Sequence, residues 1–384
     1  MSSRSVSRGG RVASCLCALA LALCGAAWPG VGAKAHGGGG GGGVRWRVLA
    51  PVTYKNLTLF PVASYTGGVA SADSNYITLD EGIKSGTVVI TERGARETAQ
   101  VVRGRNRRVA MRSSGDATVN QLALVNKSGK KLLLLAGEVI VGGKQDRIVE
   151  EDLIVPPVSV PISLNVFCVE PGRWSTREAG HTAGPVQAAR RTESTTEEAP
   201  PVQNFSALGA ISHPKLRAAA QDRKNQDEVW KEVRSNNTKL GTQNATETYQ
   251  EVYSNPEVEA RVEDYVAELE KAGAGANVVG VVVARNGEFV WIDAFASRSL
   301  FARYWPKLLK SYVVDALGDR TSGKVPTVAQ AEQFLRDNGG TTTVSGREGV
   351  YRLVKTTGRQ YAVFQLEDLS LVRPVPLHFN KMER

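Results

Sequence analysis

The residues of this chain best equipped for chemistry lie in two short runs. The first, residues 132–147, reads LLLLAGEVIVGGKQDR: four leucines run into Gly137-Glu138, then Gly142-Gly143, then Lys144-Gln145-Asp146-Arg147. Glycine permits tight backbone turns, so the spacing sets a carboxylate directly after a buried strand and gathers cations, an amide and an acid at the mouth of a β-structure. The second run, Cys168-Val169-Glu170-Pro171-Gly172-Arg173-Trp174, also ends a strand. If the two ends converge, Arg147 and Arg173 form a bidentate clamp for a phosphate or carboxylate, and Trp174 offers a face for a flat ring. Glu138 or Glu170, once desolvated, becomes a general base or an acceptor for ligand hydroxyls. The same residues have a structural reading: Glu138 and Arg147 as an ion pair pinning a turn, with Trp174 covering the sheet.

Other chemistries are poorly supplied. Cys168 has Glu170 two residues away and no histidine nearby, which disfavours a thiolate, so a buried core thiol is expected. The four histidines form no local triad signature with serine or cysteine. His181 and His213 have no second ligand at metal spacing and read as neutral surface residues. There is no paired-cysteine zinc pattern and no glycine-rich phosphate loop with its lysine and serine, so no metal or cofactor is implied. The densest basic run, Arg103, Arg105, Arg107, Arg108 and Arg112, lacks interleaved aromatics and reads as a solvated loop, not a nucleic-acid surface. Gln226 and Trp230, one helical turn apart, could reach the same site from the second half of the chain, with Trp230 read as packing.

The amino terminus sets the compartment. Arg4, Arg8 and Arg11 precede an apolar stretch over residues 12–26 and then Ala33-Lys34-Ala35, the basic, apolar and small-residue order of a cleaved secretory signal covering residues 1–35. Lipidation at Cys24 is the weaker alternative, because Leu23 stands where a small residue is wanted. Cleavage would leave Cys168 as the one thiol, so stability must come from packing and not from a disulfide. No later stretch approaches the roughly 18 uninterrupted apolar residues of a membrane span, and a secreted, extracytoplasmic protein is expected. Four cations, Arg4, Arg8, Arg11 and Lys34, leave with the signal, lowering the formal charge from +10 to +6.

The elements that must position the two runs follow from periodicity. After a glycine leader at 36–43, residues 44–174 carry β signals: 57–60, 87–90, 121–125, 131–135, 153–155 and 158–166, separated by turn residues. Pro156, Pro157 and Pro161 place the last of these at an edge or a bulge, and a helical turn starts at Thr78 with Asp80 and Glu81. Residues 175–205 read as a linker. Residues 206–320 hold a helix capped by Asn255-Pro256-Glu257 with Val258, Val262, Tyr265, Val266 and Leu269 on one face. An Asn286-Gly287 hairpin follows, then a helical pattern that Pro306 should kink or split. Residues 321–384 add a helix after Thr327 and a hairpin of 350–355 with 360–366. The expected class is α+β: a β-sandwich-like or open-barrel N-terminal half, then an α/β half with a hairpin and amphipathic helices.

The strings GEVIVGGKQDR and VPPVSVPISLNVFCVEPGRW, with QDEVWKEV at 226–233, Val279-Gly280 and the helix ending Leu308-Leu309-Lys310-Ser311-Tyr312, resemble a family of unknown activity. It is named for its genomic association with ADP-ribosylglycohydrolases and rhodanese-phosphatase proteins. The resemblance covers roughly residues 50–317 and implies a connection to ADP-ribose or NAD-derived compounds. It also implies site roles for Glu138, Lys144, Gln145, Arg147, Glu170, Arg173 and Trp174. Asp146 stands where the family pattern more often has asparagine and Phe167 where a small residue is usual. The first adds negative charge beside the proposed clamp. Three readings follow: a secreted protein binding an anionic small molecule, ADP-ribose- or nucleotide-related; a hydrolase of an ADP-ribose-like glycosidic or phosphoester bond with Glu138 or Glu170 as base; or a structural protein without a ligand.

Overall fold

The computed structural model describes residues 46–65, 75–92, 120–143, 145–172, 205–319, 323–370 and 375–384. The signal and leader segments, the basic run at 103–112, residues 173–204 and three expected ligand contacts, Lys144, Arg173 and Trp174, lie outside the described residues. Strands β1 (Trp46–Val48), β2 (Val52–Tyr54), β3 (Leu57–Ser64) and β4 (Tyr76–Thr78) lead into α1 (Leu79–Lys84). Thr78 and Glu81 close a reciprocal capping box at the start of α1, so the Asp80-Glu81 signal in the sequence is a helix start.

Eight strands follow: β5 (Val88–Glu92), β6 (Gln121–Asn126), β7 (Lys131–Leu134), β8 (Glu138–Val141), β9 (Arg147–Val149), β10 (Leu153–Val155), β11 (Ile162–Cys168) and β12 (Ser206–Ile211). They form a six-stranded sheet, β12-β8-β9-β11-β6-β5, and a three-stranded sheet, β10-β7-β4. One apolar cluster takes Leu122, Leu124, Ile140 and Val166 from the first sheet and Leu132, Leu134 and Val155 from the second. That is the sandwich-like packing expected of this half. Leu133 and Leu135 point the other way, into the main core. The four-leucine run is uninterrupted because its strand is buried on both faces. Pro156, Pro157 and Pro161 fall outside β10 and β11. β10 is an edge as expected, whereas β11 is central, between β9 and β6.

Helices α2 (Pro214–Ala218), α3 (Gln226–Leu240), α4 (Glu251–Ser254) and α5 (Pro256–Leu269) come next, with a π-helical turn at Ala219–Arg223 after α2. Asn255 caps α5 through the Glu257 and Val258 amides, and Val258, Val262, Tyr265 and Leu269 are its buried face. Strands β13 (Val278–Arg285) and β14 (Glu288–Phe295) turn at Asn286 and Gly287, whose φ values of 54° and 86° are both positive, as a two-residue hairpin turn requires. Of the kink or split expected at Pro306, the split does not occur: helix α6 (Arg298–Leu317) runs through it as one element. Pro306 and Ala302, whose carbonyl loses its partner to the proline, both lie on the exposed face, so the freed oxygen is not left buried.

Helix α7 (Val328–Arg336) and strands β15 (Thr341–Arg347), β16 (Tyr351–Thr357), β17 (Tyr361–Asp368) and β18 (Val375–Glu383) complete the chain. The third sheet, β1-β3-β13-β14-β18-β17-β16-β15 with β2 paired to β3, joins N-terminal strands to the C-terminal hairpins. Helix α6 packs its Leu300, Tyr304, Leu308 and Tyr312 into the main core, and α7 covers the opposite face of this sheet with Phe334 and Leu335. No helix among the described residues is long and apolar enough to cross a membrane.

Three of the Asn-X-Ser/Thr triplets are interior. Asn126 is fully buried and its Nδ2 donates to the carbonyls of Lys130, Val155 and Pro156. Asn56 Nδ2 donates to the Ala316 and Asp319 carbonyls that end α6, and Asn236 is buried on α3.

Candidate functional site

The signature run divides between two polar centres. Its first half, Ala136-Gly137-Glu138, is gripped from three sides. Ala136 donates its N–H to Asp152 at 2.7 Å and accepts from Arg217 Nε at 3.2 Å. Gly137 has φ +84°, and a Cβ there would lie 2.5 Å from both Arg217 Cγ and Ser212 Oγ, so the position requires glycine. Glu138 is 1% exposed. Its Oε2 accepts the Leu135 amide at 2.9 Å, and its Oε1 is held by Lys307 of α6, which also reaches Asp80 of α1 at 2.8 Å. Burial pushes the Glu138 carboxyl up against the pull of Lys307. Burial also works against the ammonium, but Glu138 and Asp80 together raise the Lys307 pKa, so it stays charged.

Behind this turn lies a sealed charge network. Arg217 binds Asp293 through both terminal nitrogens, at 2.9 and 3.1 Å. Asp293 also accepts from Trp291 Nε1 at 2.8 Å, from the Tyr312 hydroxyl, and from His378 Nε2 at 3.0 Å. His378 Nδ1 meets Asp152 at 2.6 Å. All four charged residues are at most 1% exposed. Burial opposes the imidazolium, but Asp152 and Asp293 outweigh it and lift the His378 pKa to about 9. Burial likewise disfavours the Asp293 carboxylate, yet Arg217 and His378 bring it down to about 2. At neutral pH two cations face two anions, a balanced set that satisfies its own charges and fixes one arrangement of β14, β18, α2 and the Gly137 turn.

The second half of the run meets the second run, as convergence requires. Arg147 of β9 pairs in register with Cys168 of β11. The Asp146 amide donates to Glu170 Oε2 at 3.3 Å, and Asp146 accepts from the Gly142 amide and from the Thr248 hydroxyl at 2.7 Å. Gln226, at the start of α3, brackets the Cys168 backbone, donating to its carbonyl at 2.8 Å and accepting from its amide at 3.1 Å. Burial draws the Arg147 pKa down while Cys168, Glu92, Asp146 and Glu170 pull it up. Arg147 is 1% exposed and Glu170 2%, and at this centre three carboxylates surround one guanidinium. Gln145 is 6% exposed, and its Oε1 has no hydrogen-bond partner among the described residues. Burial pushes the Cys168 thiol up, as a core residue, and Trp230 approaches its sulfur. The structure thus brings Gln145, Arg147 and Glu170 together and sets Glu138 against α1 and α6 instead.

His213 is a correction: it is 1% exposed, not a surface residue. It precedes Pro214 at the start of α2, with Nδ1 2.8 Å from the Tyr249 hydroxyl and Nε2 3.0 Å from Glu232. Glu232 in turn borders a cleft that the sequence did not disclose. This cavity, about 350 Å³, lies between α2, the π turn and the β13–β14 hairpin, and is lined by Lys215, Arg223, Glu232, Arg285, Asp315 and Arg384 among others. The π turn ends at Lys224 in the left-handed conformation, φ 49°, and brings Arg223 into the cleft wall while Asp222 turns inward to Lys355 and Arg384, each at 2.9 Å. Such turns recur where a helix must re-aim side chains at a site. Arg285 is tied through Nη1 to Asp315, but its buried Nε–H has no acceptor among the described residues. Burial would raise the Glu232 carboxyl, but His213, Lys215 and Lys239 bring it below its ordinary range, so it is ionised.

Fold and centres together define an α+β protein whose signature wires buried strands to distant charges. The chain belongs to the ARG and Rhodanese-Phosphatase-superfamily-associated Protein domain family, whose model matches residues 45–365. No curated protein and no solved structure matches it.

Proposed function

We propose that this protein binds an anionic small molecule in the cleft beside the π turn. The observation that carries the reading is the pair of cations, Lys215 and Arg223, on the wall of the cleft. Ammonium and guanidinium groups hold an oxyanion with charge-assisted bonds. Glu232, Glu288 and Glu383 share the lining, so these two cations, and not a net positive field, would select the anion. Arg223 donates to the Lys215 carbonyl at 3.3 Å and lies 4.0 Å from Glu228, exposed contacts that an incoming anion can replace. A volume of about 350 Å³ is at the lower end of small-molecule sites. The family's association with ADP-ribosylglycohydrolases makes ADP-ribose and nucleotide-related compounds the first ligands to test.

The hydrolase reading finds its support in Glu232, the carboxylate that His213 steers at the cleft. Its lowered pKa suits it to accept ligand hydroxyls and not to act as a general acid, which favours binding over turnover. Glu138 and Glu170 serve that reading only if the protein opens, since both carboxylates are already engaged. Lys144, Arg173 and Trp174, the other ligand contacts expected from the sequence, lie outside the described residues.

Thermal-shift titration with ADP-ribose, NAD, AMP and inorganic phosphate tests the reading. A true ligand at a hundred times its Kd adds about 2.7 kcal/mol, and Lys215→Ala with Arg223→Ala should weaken it at least about tenfold. No stabilisation by any of these anions, or a shift that survives in the double variant, would refute the cleft as the site. Export rests on residues 1–35 and is part of the same proposal. Amino-terminal sequencing of protein recovered outside the cell should begin at His36.

A further inference from the structure

We propose that the protein forms a two-fold dimer by antiparallel pairing of β15 with the β15 of a second copy. Strand β15 is the outer strand of the nine-stranded sheet, pairing on its inner side with β16. All seven of its residues, Thr-Thr-Thr-Val-Ser-Gly-Arg, are exposed, and Val344 at its centre is 63% exposed. Among the described residues nothing pairs with its outer edge, which therefore presents a row of open amides and carbonyls.

The other edges of these sheets are blunted in ways proteins commonly use. β1, β4 and β10 have three residues each, β12 breaks its register between Ala207 and Ile211, and β5 is partly covered, its Ile90 carbonyl accepting the Phe205 amide at 3.2 Å. β15 uses none of these devices. It has no proline, no lysine and no bulge against β16, and four of its seven residues are β-branched. Such a strand is a template for another strand.

The occupant follows from the strand's own pattern. With a dyad at Val344, Thr343 faces Ser345, Thr342 faces Gly346 and Thr341 faces Arg347. Every pair is small or β-branched, and the two valines meet on the axis, where directly opposed residues lie about 4.5–5.5 Å apart. The strand's one charge, Arg347, sits at its end, so antiparallel pairing separates the two guanidinium groups, whereas parallel in-register pairing would stack them. Like charges directly opposite destabilise a ladder, which selects the antiparallel dimer. The result is an isologous interface that joins two nine-stranded sheets into one.

Light scattering of the full chain over a concentration series is the test. Twice the monomer mass is expected, falling to the monomer mass in Val344→Lys, which sets two ammonium groups against each other on the axis without touching the core. Under mild oxidation Val344→Cys should cross-link pairs of chains, since residues on the dyad fall within disulfide reach. Val158→Cys, 75% exposed and remote from β15 in sequence, is the control for random cross-linking. A chain that stays monomeric, a dimer that survives Val344→Lys, or Val344→Cys cross-linking no faster than Val158→Cys overturns the proposal.

Discussion

The buried Asp152–His378–Asp293–Arg217 network makes a quantitative statement about pH. His378 titrates from an ordinary 6.5 to about 9 in the folded chain. The folded state therefore holds its proton more tightly than the unfolded state, so this contribution is complete below pH 6.5 and is lost as pH rises through 9. At about 1.4 kcal/mol per unit the whole effect is about 3 kcal/mol. Lys381 acts in the opposite sense at higher pH. Burial lowers its pKa to about 8, so between 8 and its unfolded value it favours the folded state as pH rises. Across the interval from 6.5 to 8 the two His378 values give a loss of about 1.6 kcal/mol, which the onset of the Lys381 titration offsets by about 0.4 kcal/mol, for a net fall of about 1.2 kcal/mol. Urea unfolding at the two ends of that interval reads the loss as a lower midpoint. The direct check is the imidazole itself: nitrogen-15 chemical shifts should show both ring nitrogens of His378 protonated at pH 8. A titration midpoint below 7, or a stability that does not fall across the interval, would refute the assignment of His378 as a buried cation.

Two further perturbations probe the same architecture. Gly137→Ala forces a left-handed residue and drives a methyl into Arg217 and Ser212; a loss of about 2–4 kcal/mol is expected by denaturant unfolding, and a loss under 1 kcal/mol would show that the turn has room to relax. Arg217→Met removes one of the two buried cations and leaves His378 alone between Asp152 and Asp293; a loss of about 3–5 kcal/mol is expected by denaturant unfolding, and a loss under about 1 kcal/mol would show that the network does not depend on its charge balance.

What could be read from the chain was what neighbours in sequence decide. The α1 and α7 caps, the Asn255 start of α5 and the Asn286-Gly287 hairpin each depend on residues within a turn of one another, and each stands where periodicity placed it. The exposed face of α6 let it tolerate Pro306, a fact of packing that no local rule contains. β15 was invisible because it is wet on both faces and shows no alternation. β18 was hidden by Pro376, which sits where the register with β17 shifts, one of the few places a sheet accepts proline.

The candidate site divides in the same way. The approach of Gln145, Arg147 and Glu170 was legible because two strand ends carried polar clusters. Glu138 finds Lys307 at a separation of 169 residues, Arg217 finds Asp293 at 76 and His378 finds Asp152 at 226. Only the folded chain discloses those partners. His213 looked like a surface residue because Glu232 lies on α3 and Tyr249 in the turn before α4, and the cleft residues Lys215, Arg223, Arg285, Asp315 and Arg384 are scattered through the sequence with no common motif. The π turn that gathers several of them has no residue signature of its own.

The interior position of Asn126 bears on how the chain can be made. An oligosaccharide transferred to its amide nitrogen during synthesis would take a donor from the three carbonyls it serves and could not be enclosed with the strands around it. The same bulk at Asn56 would pry the end of α6 from the β2–β3 turn. Occupancy of Asn56 or Asn126 by an oligosaccharide is therefore incompatible with the packing described around them.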